Sequence, residues 1–402
     1  MRRAARFLGA LALAFCAGAS AAWLSPRELG EDFDAMWRAI DADYAYFGRD
    51  RSAWKRAGAE WRAKATRARD RGELVAALEG ALAELGDDHA SLSESSPNAP
   101  RRLATETDIW ARWRGGEAVV EAVRTFSDAD VAGLRPGQQV TKIQGVDIAR
   151  AVEERLRGKP VTAEARDRAL RQLLGGPRQG AFRVEVRGGT RPLLIEREAR
   201  KPANGQPLLA RRMGEERDLG YIRIRDAGPA VVDQFDAALN YLKDTRGLIL
   251  DLRESQGPGS RCASRAILGR FVASEKPWQV RAARSGPRTI DTVPARADPY
   301  AAPILVLVDR WTAGEGEALA AGLAAVGARL VGTEMAGLRG ELREARLPHS
   351  GLVVRFPAEK TFLPDGTARE ALVPHVPVDL AAPSGGPGDP ILYQALKLLE
   401  RK

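Results

Sequence analysis

Residues 303–323 read PILVLVDRWTAGEGEALAAGL. From Ile304 to Val308 the run is continuously apolar, as a buried strand requires, and a polar, glycine-rich turn follows it directly. Small and apolar residues return at helical spacing from Ala318 to Leu323. The stretch predicts a strand, a tight turn and the N-terminus of a helix. Such a junction presents unpaired backbone N–H groups and the positive end of a helix dipole, so it suits an anion or a developing oxyanion. A nucleophilic serine belongs in a turn of this kind. Thr312, Ala313, Gly314, Glu315 and Gly316 stand there instead.

Around this stretch, strand-like and helix-like runs alternate. Residues 219–223, 247–252 (GLILDL), 304–308 and 329–331 read as strands, and residues 230–243, 262–272 and 318–325 as helices. Alternation at this spacing predicts an α/β unit with parallel strand pairs and right-handed crossovers. Ligands meet such sheets at the carboxyl ends of the strands, so the turns after GLILDLR and ILVLVDR are expected to share one cleft.

Towards the N-terminus, residues 26–92 carry helical spacing, first in Leu29, Phe33, Met36, Trp37 and Ile40 and then in Leu74, Ala77, Leu78, Ala81, Leu82 and Leu85. The pattern runs out in LGDDHASL, residues 85–92, with His89 beside two acids. A histidine there can simply bond a helix C-terminal carbonyl. A polar linker at residues 93–101 leads to short strand-like runs at 108–113, 118–123, 140–143, 182–186 and 192–195. Among them, DADVAGLRPGQQVTKIQGVDI (residues 128–148) resembles the carboxylate-loop half of a PDZ domain, which implies a peptide site at Gly133 and Leu134. A polar break at residues 201–206 ends this region.

With 402 residues and 44% hydrophobic content the chain can bury several cores. It opens with MRRAARFLGALALAFCAGASAA: a basic start, an apolar run and a small-residue end, the pattern of a secretory signal peptide cleaved after Ala21 or Ala22. The expected location is periplasmic or secreted, and no later segment is long enough to span a bilayer. Loss of three arginines and no acids with the signal lowers the formal net charge from +9 to +6. The surplus is dispersed among Glu and Asp, which argues against dedicated nucleic-acid binding. After processing Cys262 is the lone cysteine, so neither an internal disulfide nor a cysteine metal cluster can form.

Taken together, LGDDHASL, the PDZ-like insert, GYIRI (220–224), GLILDLR (247–253), VDRWTAGEGE (308–317), VGTEMAG (331–337), Pro364-Asp365-Gly366 and Arg369-Glu370 resemble the tail-specific serine peptidases, in the branch containing the tricorn core. The resemblance implies a crotonase-like α/β core at residues 206–402, an N-terminal helical unit at 22–95, a PDZ-like β-rich insert at 96–205 and no cofactor. It places the nucleophile at Gly314, the base at His89 and a supporting acid at Glu370. Oxyanion donors are implied near Gly257 and at the Glu315 N–H. In the alternative Ser–Lys branch the base position is Arg339, whose guanidinium stays protonated and cannot serve.

Glycine offers no oxygen to acylate, and Pro258 removes a backbone N–H beside the oxyanion site. Thr312 and the neighbouring Ser255, Ser260 and Ser264 are the hydroxyls that could substitute, and Glu315 and Glu317 could activate water or simply compensate the helix N-terminus. His349 and His375 read as loop or surface residues. The expectation is an exported peptide-binding pseudopeptidase whose ligand is a peptide or unfolded protein. The alternative is an endopeptidase with a displaced hydroxyl and His89 as base.

Overall fold

The computed structural model describes residues 23–48, 51–158, 160–197, 206–255, 259–382 and 388–400. The signal segment and the Gly257 and Pro258 positions lie outside the described residues. Three helices come first: α1 (Pro26–Asp43), α2 (Ser52–Ala65) and α3 (Arg71–Ala83). Ser25 and Glu28 form a capping box that satisfies the first N–H groups of α1, and Pro26 sits where a missing N–H is harmless. Leu29, Phe33, Met36 and Ile40 turn one stripe inward onto Leu74 and Leu78 of α3. The helical spacing read through residue 92 actually stops at Ala83. Gly86 then takes a left-handed conformation (φ 60), and Ser91–Leu92 is a short strand, β1.

The second region holds β2 (Ile109–Arg114), β3 (Glu117–Val123), α4 (Asp128–Val131), β4 (Gln139–Ile143), β5 (Val146–Asp147), α5 (Ile148–Arg155), α6 (Ala163–Gly175), β6 (Gly180–Val186) and β7 (Leu193–Arg197). Its antiparallel sheet runs β2-β3-β4-β6-β7, with β5 on β4, around a core that includes Ile109, Val120, Leu170 and Phe182.

From residue 208 the elements are β8 (Leu208–Met213), β9 (Leu219–Ile224), α7 (Val231–Tyr241), β10 (Gly247–Asp251), α8 (Arg261–Leu268), β11 (Lys276–Ala283), β12 (Thr289–Val293), β13 (Ile304–Val308), α9 (Glu315–Ala325), β14 (Arg329–Gly332), β15 (Glu341–Arg346), β16 (Val353–Phe362), β17 (Val376–Pro377) and α10 (Pro390–Glu400). The central sheet runs β17-β14-β13-β10-β9-β8, parallel throughout except for the β8–β9 pair. Both faces are covered, which explains the unbroken apolar runs. Leu248, Leu250, Val306 and Val308 face a core shared with α7, α8 and α9. Their neighbours Ile249, Leu305 and Leu307 face α10. The α/β expectation holds here.

A further sheet, β1-β16-β11-β12 with β15 on β16, was not legible as a unit. Its strands come from both ends of the chain. β1 and β15 flank β16 at the same residue, with Ser91 and Glu344 both opposite Arg355. That pairing carries His89, two residues before β1, to the segment that leads into β15. Among the described residues no helix is long and apolar enough to cross a membrane.

Candidate functional site

Because β10 and β13 are parallel neighbours, the turns that follow them emerge side by side. They are bonded to each other. The Ala313 N–H donates to the Ser255 carbonyl (2.9 Å), the Leu252 N–H to the Leu307 carbonyl (3.0 Å), and Thr312 Oγ1 to the Leu252 carbonyl (3.0 Å). A methyl group added at Gly316 would lie 2.5 Å from the Ser255 carbonyl oxygen, so only glycine allows this approach.

The turn then bends sharply at Gly314 (φ 58, ψ −117), which caps α9. These angles lie outside the left-handed helical well and are open to glycine at little cost. A Cβ built on Gly314 meets no atom within 4 Å, so a side chain there would project into open space. The bend would hold any side chain at position 314 clear of its neighbours, and glycine supplies none. The Gly314 N–H donates to Glu317 Oε2 (3.1 Å) as half of a capping box. Among the described residues the Glu315 N–H has no hydrogen-bond acceptor, as an oxyanion donor would require.

Glu317 ties this bend to a second loop. Its carboxylate also accepts from the Gly337 N–H (2.8 Å) and the Leu338 N–H (3.2 Å to Oε2), and it is fully buried. Burial pushes its pKa up to about 7, with Arg369 and the N–H donors opposing. Glu315 accepts from Ser264 Oγ (2.6 Å), and its pKa is likewise raised by burial, to about 7.

One residue beyond Leu338, the Arg339 carbonyl oxygen holds His89 Nδ1 at 2.5 Å. A carbonyl only accepts, so Nδ1 carries the proton and the lone pair is left on Nε2. Burial, then Arg369, lower the pKa of His89, opposed by the Arg339 bond, and keep the imidazole neutral. Asp87 fixes the backbone: its carboxylate accepts the His89 N–H (2.9 Å) and the Tyr44 hydroxyl (2.7 Å), with Arg339 Nη1 at 3.8 Å. A path of hydrogen bonds and main chain therefore runs from Gly314 through Glu317, Leu338 and Arg339 to His89.

Several residues stand apart from their expected parts. Glu370 is not what holds His89, because the Arg339 carbonyl occupies the Nδ1 side. Its Oε2 is buried near the Tyr46 hydroxyl without a bond of ordinary geometry among the described residues, and after burial its charge and that contact raise the pKa of Tyr46. Gly133 and Leu134 do not form an open carboxylate loop. Their N–H groups donate to Asp130 and Ala129 (both 3.0 Å) and close the end of α4, while the Leu134 side chain is in the core. The Gly-Leu-x-Pro-Gly pattern had marked a helix stop. Thr312 is fully buried, and its hydroxyl also accepts the Asp309 N–H (3.0 Å). Ser255 Oγ is buried, and Ser264 is buried against Glu315. Ser260 is half-buried at the start of α8 and makes no cap bond. His349 pairs with Glu31, and His375 accepts the Leu330 N–H.

A cleft of about 420 Å³ opens beside the bend, between the insert and the core. Its walls include Asp87, Leu338, Arg339 and Glu370, with Glu317 at its floor and Trp110 and Arg171 on the insert side. Neither His89 nor Gly314 is on its wall.

Residues 218–378, which hold the bend, Glu317, Arg339 and Glu370, match the model of peptidase family S41. The chain carries a peptidase family S41 domain. Solved structures place the fold in the same group. The photosystem II D1 C-terminal processing protease is 21% identical with a TM-score of 0.54, covering 88% of this chain and 94% of its own. Mature CPAF is 14% identical with a TM-score of 0.58, covering 88% and 92%. A lipoprotein from Streptococcus agalactiae is 12% identical with a TM-score of 0.53, covering 94% and 98%. At these identities the likeness is one of fold. No curated protein matches the chain. Two parts of this arrangement, the Arg339 carbonyl under His89 and the Glu317 clasp, carry no plain sequence signal. A backbone carbonyl leaves no residue signature, and Glu317 reads only as the third position of a capping box.

Proposed function

We propose that this S41 protein is an exported peptide-binding pseudopeptidase. The observation that carries the reading is Gly314, a bend shaped to display a nucleophile that bears no side chain. Acyl transfer needs an oxygen or sulfur nucleophile within reach of its base. The nearby hydroxyls of Thr312, Ser255 and Ser264 are buried. The cleft beside the bend supports retention of a peptide ligand.

A second reading, an endopeptidase with a displaced hydroxyl, draws on His89, still held as a neutral base with its lone pair on Nε2. One experiment separates the two. The purified chain is treated with a fluorophosphonate probe and with unfolded protein substrates, beside a Gly314→Ser variant. The first reading expects no labelled serine and no cleavage by the natural chain, with labelling gained in Gly314→Ser. Labelling of any serine in the natural chain, with cleavage, would establish the second.

A further inference from the structure

Six arginines line the cleft between the insert and the core. Five have acidic or hydrogen-bonding partners. Arg112 and Arg310 both hold Glu334 (2.6 and 2.7 Å), and Arg310 also holds Glu121 (2.9 Å). Arg168 holds Asp88 (2.5 Å). Arg339 reaches the Tyr44 hydroxyl (3.3 Å) and Asp87, and Arg369 holds Glu341 (3.1 Å) and the Gly340 carbonyl (2.6 Å).

Arg171 is different. Among the described residues its guanidinium makes no ion pair and no hydrogen bond; its Nε is buried without a partner, as are those of Arg168, Arg310 and Arg369, whose other nitrogens are bonded. It lies over the Trp110 ring, 4.5 Å from the centroid. The acids nearest to it in charge, Asp88 and Asp167, are committed elsewhere, Asp88 to Arg168 and Asp167 to the Trp113 N–H (2.8 Å). Glu164, Arg168 and Arg171 recur at spacings of four and three along α6, so this helix presents one face to the cleft.

The residue is half-buried, with only its Nε fully out of solvent. A partly desolvated guanidinium with no protein acceptor is under-compensated, and an anion entering the cleft would relieve that. Burial, with Arg112 and Arg310 nearby, lowers the pKa of Arg171 to about 10, so it remains a cation at neutral pH while its charge stays poorly compensated. The planar fork of arginine matches a carboxylate.

We propose that Arg171 anchors a carboxylate of the bound peptide, either its C-terminal carboxylate or an acidic side chain. This rests on the peptide-binding reading and adds to it the group that is recognised and the residue that recognises it. Trp110, whose ring has Arg171 at 4.5 Å and Arg310 at 4.9 Å from its centroid, gives the guanidinium a contact before the ligand arrives.

The test is calorimetric titration of the purified full chain with three decapeptide pools. One lacks Asp and Glu and has free C-termini; the second is the same pool amidated; the third is amidated and contains Asp and Glu. The natural chain is expected to prefer either the first or the third pool to the second, which identifies the source of the carboxylate. Arg171→Gln should weaken that preferred pool by roughly ten- to a hundredfold, leave the second unchanged, and keep the melting temperature within a few degrees. Arg171→Lys, which keeps the charge, should retain part of the preference. If Arg171→Gln binds every pool as the natural chain does, the anchor is wrong while peptide binding stands. If the natural chain binds none of the pools, both are wrong.

Discussion

Gly314 concentrates the functional question in one residue. Its φ of 58 and ψ of −117 are tolerated by glycine and strained for any L side chain, by about 1–3 kcal/mol. The open space around its Cβ position means that strain, and not collision, is the cost of Gly314→Ser. That variant should fold with a melting temperature lowered by a few degrees.

Glu317 makes a second prediction at this scale. Its folded pKa, about 7, lies above the ordinary 4.5, so the folded chain holds a proton that the unfolded chain has released between those values. Stability contributed by that proton is full below pH 4.5 and is lost as pH rises through about 7, a loss on the order of 3 kcal/mol. Glu315, raised to the same value, adds a loss of the same sign, so denaturant unfolding from pH 5 to 8 should show a decline that Glu317→Gln reduces and that the double variant Glu315→Gln/Glu317→Gln flattens. His89 contributes with the opposite sign, since its depressed pKa favours the folded state above pH 6.5 and that contribution is lost as pH falls through its folded value.

At the scale of elements, the paired turns after β10 and β13 form the platform of the site. Gly316 is where they touch. Gly316→Ala would press a methyl group against the Ser255 carbonyl at 2.5 Å and force the turns apart, a cost of about 1–3 kcal/mol. The expected result is a lower urea midpoint with an unchanged slope. A changed slope would mean that the variant altered the unfolded or native ensemble instead. The strands and helices of the core were legible because both-face burial writes continuous apolar runs, as in GLILD and ILVLV. β15 was not, since Glu341 to Arg346 is mostly exposed and charged and is held as a strand by its pairing with β16. The same limit explains Gly133 and Leu134: a short glycine pattern is shared by helix stops and anion loops, and only the hydrogen bonds distinguish them.

For the whole molecule, the insert is fastened to the core beside the bend. Trp311 donates its indole N–H to the Thr107 carbonyl (2.9 Å) and packs with Trp110 and Ala122, while Arg112 and Arg310 converge on Glu334. Those two arginines hold the pKa of Glu334 down, at about 2, against the effect of burial. A depressed carboxyl stabilises the folded form above pH 4.5 and loses that contribution as pH falls through about 2. Small-angle scattering between pH 5 and 2.5 should therefore show the insert loosening from the core before the core itself unfolds, and Glu334→Gln should show the looser form already at neutral pH. Identical scattering of variant and natural chain at pH 7 would discount the clasp.

The sequence by itself determined the parallel α/β core, the strand, turn and helix at residues 303–323, and the presence of a glycine at position 314 of that turn. Those features are local: apolar periodicity and residue identity need no partner to be read. Tertiary structure decided what surrounds the turn. It placed the Arg339 carbonyl under His89, made Glu317 a clasp between loops, and left Arg171 without an ion pair among the described residues. Each depends on pairing or packing between distant segments, joined by β16 or by the insert resting on the core, and such contacts have no periodicity to betray them.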